Sequence, residues 1–83
     1  MYSIFFNPKA EKQFKKLDKE TKKRISFFLD RIRIRPFFHD IKKLVGTRYY
    51  RIRVGKYRLI LDILQNKLII IVIELGFRSK IYR

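Results

Sequence analysis

The sequence predicts an α+β domain: a helical hairpin packed on one face of a small, curved, mostly antiparallel sheet, in the order β-α-α-β-β-β. Three observations predict it. Apolar residues recur at helical spacing between Ala10 and Ile32, and at a spacing of two after Gly46. Two helix starts lie close together, at Asn7-Pro8 and at Asp18. The segment YYRIRVGKYR, Tyr49–Arg58, alternates charge with bulk on both sides of a Gly-Lys pair, as a tight hairpin does.

Tyr2–Phe6 is aromatic and β-branched and reads as a first strand. Asn7 then caps a helix with Pro8 at its first position, and Ala10, Phe14 and Leu17 give it one apolar face against a lysine-bearing one. Asp18 caps a second helix, whose Ile25, Phe28, Leu29 and Ile32 follow the i, i+3, i+4, i+7 rule and which Pro36 ends. With almost no linker, the two helices form a hairpin. Phe27 falls off the stripe, toward the first helix or a partner protein. Phe37–Gly46 reads as an irregular loop. Arg48–Val54, Tyr57–Leu64 and Leu68–Leu75 are three strands joined by turns at Gly55-Lys56 and around Gln65-Asn66. The last of them, LIIIVIEL, is apolar on both faces and belongs in the middle of the sheet.

At 83 residues the chain is expected to form one domain, 1–83. A domain of this size buries only about 60–65% of the surface its unfolded chain exposes. The material for a core is present: 47% hydrophobic and 16% aromatic residues, with 3 Gly and 2 Pro, a composition that argues against disorder. The absence of cysteine excludes disulfides and thiolate metal sites and fits a reducing compartment. MYSIFF lacks the basic region of a signal peptide, and the longest apolar run is far short of the roughly 20 residues of a membrane span. A cytoplasmic protein with no membrane partner is expected.

Charge is the outlying quantity: 22 Lys+Arg against 7 Asp+Glu, net +15. Self-repulsion on that scale points to a polyanionic partner, with nucleic acid first. A membrane surface fits less well, because basic membrane binders concentrate their charge on one helix face. An acidic protein that neutralises the charge is a third possibility, and it can coexist with a nucleic-acid partner.

The hairpin gives this charge a place. A Gly-X loop of type II′ sets Val54 opposite Tyr57, Arg53 opposite Arg58, Ile52 opposite Leu59 and Arg51 opposite Ile60. Alternation then turns Ile52, Val54, Tyr57, Leu59 and Leu61 toward the helices, and Arg51, Arg53 and Arg58 toward the uncovered face. Like charges opposed across strands are destabilising. A solvated strand face accounts for any one of these arginines; for three together, a phosphate that relieves the repulsion on binding is the better account.

Leu44-x-Gly46, the run Tyr50-Arg51-Ile52-Arg53-Val54-Gly55-Lys56-Tyr57-Arg58-Leu59-Ile60, an apolar strand, and then Gly76-Phe77-Arg78-Ser79-Lys80-Ile81-Tyr82-Arg83 together resemble the RelE/ParE superfamily of toxins from toxin–antitoxin systems, and the RelE branch in particular. The resemblance covers the whole chain. It implies a ribosome-dependent mRNA endonuclease that acts in the 30S A site. There the RNA 2′-hydroxyl attacks the adjacent phosphate, without metal or cofactor, to leave a 2′,3′-cyclic phosphate and a 5′-hydroxyl.

By this resemblance Arg58 grips the scissile phosphate, Arg78 stabilises the transition state, and Tyr82 stacks on or orients the substrate base. Arg51 and Arg53 stand where family members often carry two lysines. Lys42, Lys43, Lys56, Lys80 and Arg83 are expected contacts to RNA backbone. An acidic RelB-like antitoxin, the ribosome with its mRNA and rRNA, and a toxin–antitoxin hetero-oligomer are the implied partners.

The chemistry agrees with those roles. In-line attack builds negative charge that preorganised guanidinium groups stabilise, and tyrosine offers a stacking face and a hydroxyl. One histidine and seven scattered acids make a two-metal nuclease a poor fit. Arginine cannot give up its proton at neutral pH, so the proton acceptor stays open among Lys56, Tyr82 and a ribosomal group. His39 is expected to be structural. Glu74 is expected to pair with an arginine of the open face, and Asp62 to do likewise or be solvated. Tyr49 and Tyr50 should divide between core and surface. Two other functions share these features: a ParE-like toxin that inhibits DNA gyrase through protein contact, and a basic RNA-binding module without chemistry.

Overall fold

The computed structural model describes residues 1–38 and 41–77. Strand β1 (Ser3–Phe6) leads into helix α1 (Pro8–Lys15) and helix α2 (Lys19–Ile32). A single 3-10 turn (Pro36–Phe38) and a two-residue strand β2 (Lys42–Lys43) come next, followed by β3 (Tyr50–Val54), β4 (Tyr57–Leu64) and β5 (Ile69–Phe77). The five strands form one sheet in the order β1-β5-β4-β3-β2. Only β1 and β5 run parallel; the other neighbours are antiparallel.

Local chemistry sets both helix starts. Asn7 Oδ1 accepts the Ala10 amide at 2.8 Å, and Asp18 Oδ2 accepts the Thr21 amide at 3.2 Å. The Thr21 hydroxyl also donates to Asp18, and this bond, followed by the amide bond, holds the Asp18 carboxyl below its usual 3.8. A carboxyl lowered in the folded state contributes stability that is complete above the unfolded value and is lost as pH falls through the folded one. Asp18→Asn keeps a capping side chain but not the charge. The wild-type advantage in urea midpoint over this variant is expected to shrink between pH 5 and pH 2.5; an advantage independent of pH would count against the cap.

The core lies between the helices and one sheet face. Ala10, Ile25, Leu29 and Ile32 from the helices meet Ile52, Val54, Leu59, Leu61, Ile63, Ile70, Val72 and Leu75 from the sheet, and all are buried. Phe6 and Phe14 add a tilted ring contact with centroids 5.2 Å apart. As read from its hydropathy, β5 is interior, paired on both sides. The fully central strand is β4, whose residues Arg58 through Ile63 are all buried.

β1 is too short to accompany β5 to its end. Beyond Val72, α1 takes over as neighbour, and Gln13 Oε1 accepts the Leu75 amide at 2.9 Å. This satisfies a backbone donor that would otherwise be left without a strand partner.

The β3–β4 turn has Gly55 at φ +61 and Lys56 at negative φ, the type II′ geometry, and the register is the one expected from it, including Arg53 opposite Arg58. The β4–β5 turn ends on Leu68 at φ +54, a left-handed conformation that costs a side-chain-bearing residue about 1–2 kcal/mol. Leu68 is half exposed, so little burial is at stake. Leu68→Gly is expected to raise stability by about 0.5 kcal/mol, the relief of strain exceeding glycine's added unfolded-state entropy. A urea titration in which the variant loses more than about 1 kcal/mol would contradict this account of the turn.

The loop expected over Phe37–Gly46 is more structured than its sequence suggests. It holds the 3-10 turn and β2, whose Lys42 and Lys43 pair with Arg51 and Tyr50 as the sheet's outer strand. Phe27 is 63% exposed, with the Arg31 guanidinium 5.8 Å from its ring centroid, and packs on neither helix one nor the core.

Candidate functional site

β3 and β4 carry the arginines because their other face must cover the helices. With Ile52, Leu59 and Leu61 buried in the core, alternation turns Arg51, Arg53, Arg58, Ile60 and Asp62 to the opposite face. The chain between β2 and β3 edges this face, and a cleft of about 520 Å³ opens there. Lys43, Tyr49, Arg51, Arg58, Ile60 and Glu74 are among its lining residues.

The three hairpin arginines do not share one environment. Arg58 is 4% exposed, Arg51 is partly buried, and Arg53 is solvent-exposed. The three share the face the helices leave open, as the register predicts, but not one degree of exposure. Arg51 and Arg58 line the cleft, while Arg53 lies toward the Gly55 turn and stays in water. The opposed Arg53–Arg58 pair is tolerable for that reason: one partner is hydrated, and water screens its charge. Lys43 joins the cleft. Lys42 and Lys56 are exposed and do not line it.

A guanidinium held out of water acts on a phosphate more strongly than a hydrated one, because the local dielectric is lower and less reorganisation is needed. Arg58 is such a group, on the central strand and flanked on both sides by paired neighbours. Arg51 adds a second cation from the adjacent strand. Tyr49 adds a ring, with the Arg48 guanidinium 5.9 Å from its centroid. Tyr50, on the opposite face, packs against the core and sits edge-on to Phe37 at 5.3 Å, so the two tyrosines divide as alternation requires.

Both acids of the face are placed by specific contacts. Asp62 is 3% exposed, and its Oδ2 accepts a hydrogen bond from Arg48 Nη2 at 2.8 Å. Arg48, just before β3, thus supplies the expected arginine. Glu74 departs from expectation: its Oε2 lies 3.4 Å from Lys9 Nζ of α1, not against an open-face arginine. A bulge nonetheless keeps Glu74 on the cleft face. β4 pairs Ile60 with Glu74 but Leu61 with Val72, so Ile73 is an extra residue in β5. The bulge turns Ile73 and Glu74 together toward the cleft, which both line. Lys9 is 64% exposed, and such a pair contributes only about 0.2–1 kcal/mol.

Arg78, Lys80, Tyr82 and Arg83, and also His39, lie outside the described residues. What precedes them is described: Gly76 sits opposite Arg58, and Phe77 stacks on Tyr57 with centroids 4.9 Å apart. β5 therefore leads toward the tail from beside Arg58. Among the described residues no three His, Cys, Asp or Glu side chains are grouped to hold a metal, and no helix is long and apolar enough to cross a membrane. Lys43 was expected to contact RNA, but the part of the wall formed by Leu44, Val45 and Thr47 was not legible as part of a site, because its place depends on the pairing of β2.

With this geometry in view, the comparisons decide the family. The profile of the ParE toxin of type II toxin–antitoxin systems, parDE, matches residues 4–82. The chain belongs to the ParE toxin family. Within the wider RelE/ParE superfamily its fold is that of RelE. It superposes on E. coli RelE from the intact RelBE toxin–antitoxin complex with a TM-score of 0.81 at 25% identity, covering 93% of this chain and 96% of that one. The archaeal RelE of the RelE–RelB complex from Pyrococcus horikoshii OT3 gives 0.82 at 27% identity, over 95% of this chain and 97% of that one. The RelB–RelE complex from Methanococcus jannaschii gives 0.73 at 29%, over 94% of each chain. No curated protein sequence matches the chain significantly. This ParE-family toxin thus keeps the two-helix, five-strand architecture, with a basic cleft on the sheet face the helices leave open.

Proposed function

We propose that this toxin is a ribosome-dependent endoribonuclease that cuts mRNA in the A site and so stops translation. The observation that carries the proposal is Arg58, buried to 4% exposure in a cleft that Arg51 also lines. In the proposed reaction the RNA 2′-hydroxyl attacks the adjacent phosphate. Arg58 holds the scissile phosphate and Arg51 shares the charge that develops, with Arg78 and Tyr82 completing the site from the tail. Lys43 contacts the RNA backbone at the cleft rim. Arg53, Lys42, Lys56, Lys80 and Arg83 act as longer-range, salt-sensitive phosphate contacts. The chain acts as one toxin domain in the cytoplasm, where ribosomes are.

A translating extract tests this directly. Wild-type toxin is expected to produce in-frame mRNA ends at A-site codons. Intact mRNA at every dose would reject the reading.

The ParE profile match favours a second reading, inhibition of DNA gyrase by protein contact. A supercoiling assay separates the two: the ribonuclease reading predicts unimpaired supercoiling at doses that cut mRNA.

The solved RelE relatives include complexes with RelB antitoxins. By analogy, and with a net charge of +15, we propose an acidic antitoxin that binds this toxin in a hetero-oligomer. Its affinity should weaken as salt rises, because the attraction is screened.

A further inference from the structure

We propose that Glu74 is the proton acceptor of the cleavage reaction, an assignment that rests on the ribonuclease reading above. An arginine-lined site can stabilise charge, yet neither Arg51 nor Arg58 can take a proton from the attacking hydroxyl. Among the described residues lining the cleft, Glu74 is the single carboxylate. A chain with 22 cations and 7 acids sets one of those acids where a phosphodiester is to bind, and a negative charge there weakens that binding.

Stability is no sufficient reason for its presence, since its partner Lys9 is largely solvated. The bulge at Ile73 puts Glu74 on the cleft face, where it is a lining residue, and its pairing with Ile60 sets it two pairs along the ladder from Arg58 and Gly76.

In the step assigned to it, Glu74 takes the proton of the 2′-hydroxyl as that oxygen bonds to phosphorus. The bond from phosphorus to the 5′-oxygen breaks, and its electron pair stays on that oxygen. The 5′-oxygen takes a proton from water, Glu74 returns its own to solvent, and a 2′,3′-cyclic phosphate and a 5′-hydroxyl remain. General-base catalysis of this kind contributes about 10²–10⁴-fold.

The test is single-turnover cleavage on programmed ribosomes, with affinity measured separately on the same complex carrying a 2′-deoxy codon that cannot be cut. Glu74→Gln is expected to slow cleavage at least about 100-fold while binding the uncleavable complex as tightly as wild type or more tightly. Glu74→Asp, which keeps the carboxylate, should recover most of the lost rate. A group that merely holds the fold together would weaken binding along with rate, and its loss would show in the urea midpoint. Cleavage by Glu74→Gln within about threefold of wild type overturns the assignment, and so does parallel loss of rate and binding. Wild-type toxin that leaves the mRNA intact overturns the ribonuclease reading itself, an outcome separate from failure of Glu74 alone.

Discussion

Arg58→Ala is expected to lower the single-turnover rate of mRNA cleavage by about 10²–10³-fold, or about 3–4 kcal/mol of transition-state stabilisation, the scale of one lost preorganised oxyanion donor. The effect is large because of where the side chain sits. Arg58 belongs to the central strand, is 4% exposed, and lines the cleft. A phosphate reaching it meets a cation already desolvated, so little interaction energy is spent on reorganising water. Arg53→Ala serves as the internal comparison. It faces Arg58 in the ladder but lies in solvent, and its loss should change the rate only a few-fold, mostly through salt-sensitive association. Equal losses for the two variants would show that the cleft distinguishes nothing. Because Arg58 is buried, the rate comparison needs a urea midpoint for each variant; a folded but slow Arg58→Ala protein is the predicted outcome.

The largest stability effect is expected at Leu59. This residue is fully buried at the centre of β4, opposite Ile52 on one side and Leu75 on the other. Leu59→Ala removes methyl groups from a layer whose neighbours are held by two strands and two helices, so the space is poorly refilled. The cost should be about 3 kcal/mol, within the range of about 2–5 for such truncations. For a domain of this size that corresponds to a fall in Tm on the order of 15 °C. Total stability for small domains is about 5–15 kcal/mol, so the variant should fold but sit close to its limit. Thermal unfolding followed by circular dichroism measures it. A shift below about 4 °C would mean that the helix-facing layer of β4 is not the centre of the core.

What the sequence made legible was local or periodic. Asn7 and Asp18 mark the helix starts because a cap is read within three residues. Gly55 sets the hairpin register because a II′ turn leaves one pairing available, and the observed pairs are those. The two-residue period then separated arginines from core without knowledge of the rest of the chain. What stayed hidden depends on distant residues. β2 consists of two lysines with no apolar alternation, and it is a strand only because Tyr50 and Arg51 lie beside it. The Ile73 bulge leaves no signature in a run of apolar residues, yet it decides where Glu74 points. The partner of Glu74 is Lys9, on an element at the other end of the chain. Alternation likewise assigns Arg51, Arg53 and Arg58 to one face but cannot grade their burial, which comes from the packing around that face.

In the proposed reaction a phosphodiester backbone sits in the cleft lined by Arg51, Arg58 and Glu74. This placement is tested most directly by titrating the isotopically labelled toxin with a 2′-deoxy trinucleotide at physiological salt and following backbone amide shifts by NMR. The largest saturable shifts are expected at Tyr49, Arg51, Arg58, Ile60 and Glu74. Shifts confined to the lysines of α1 and α2, with the cleft amides unmoved, would contradict it.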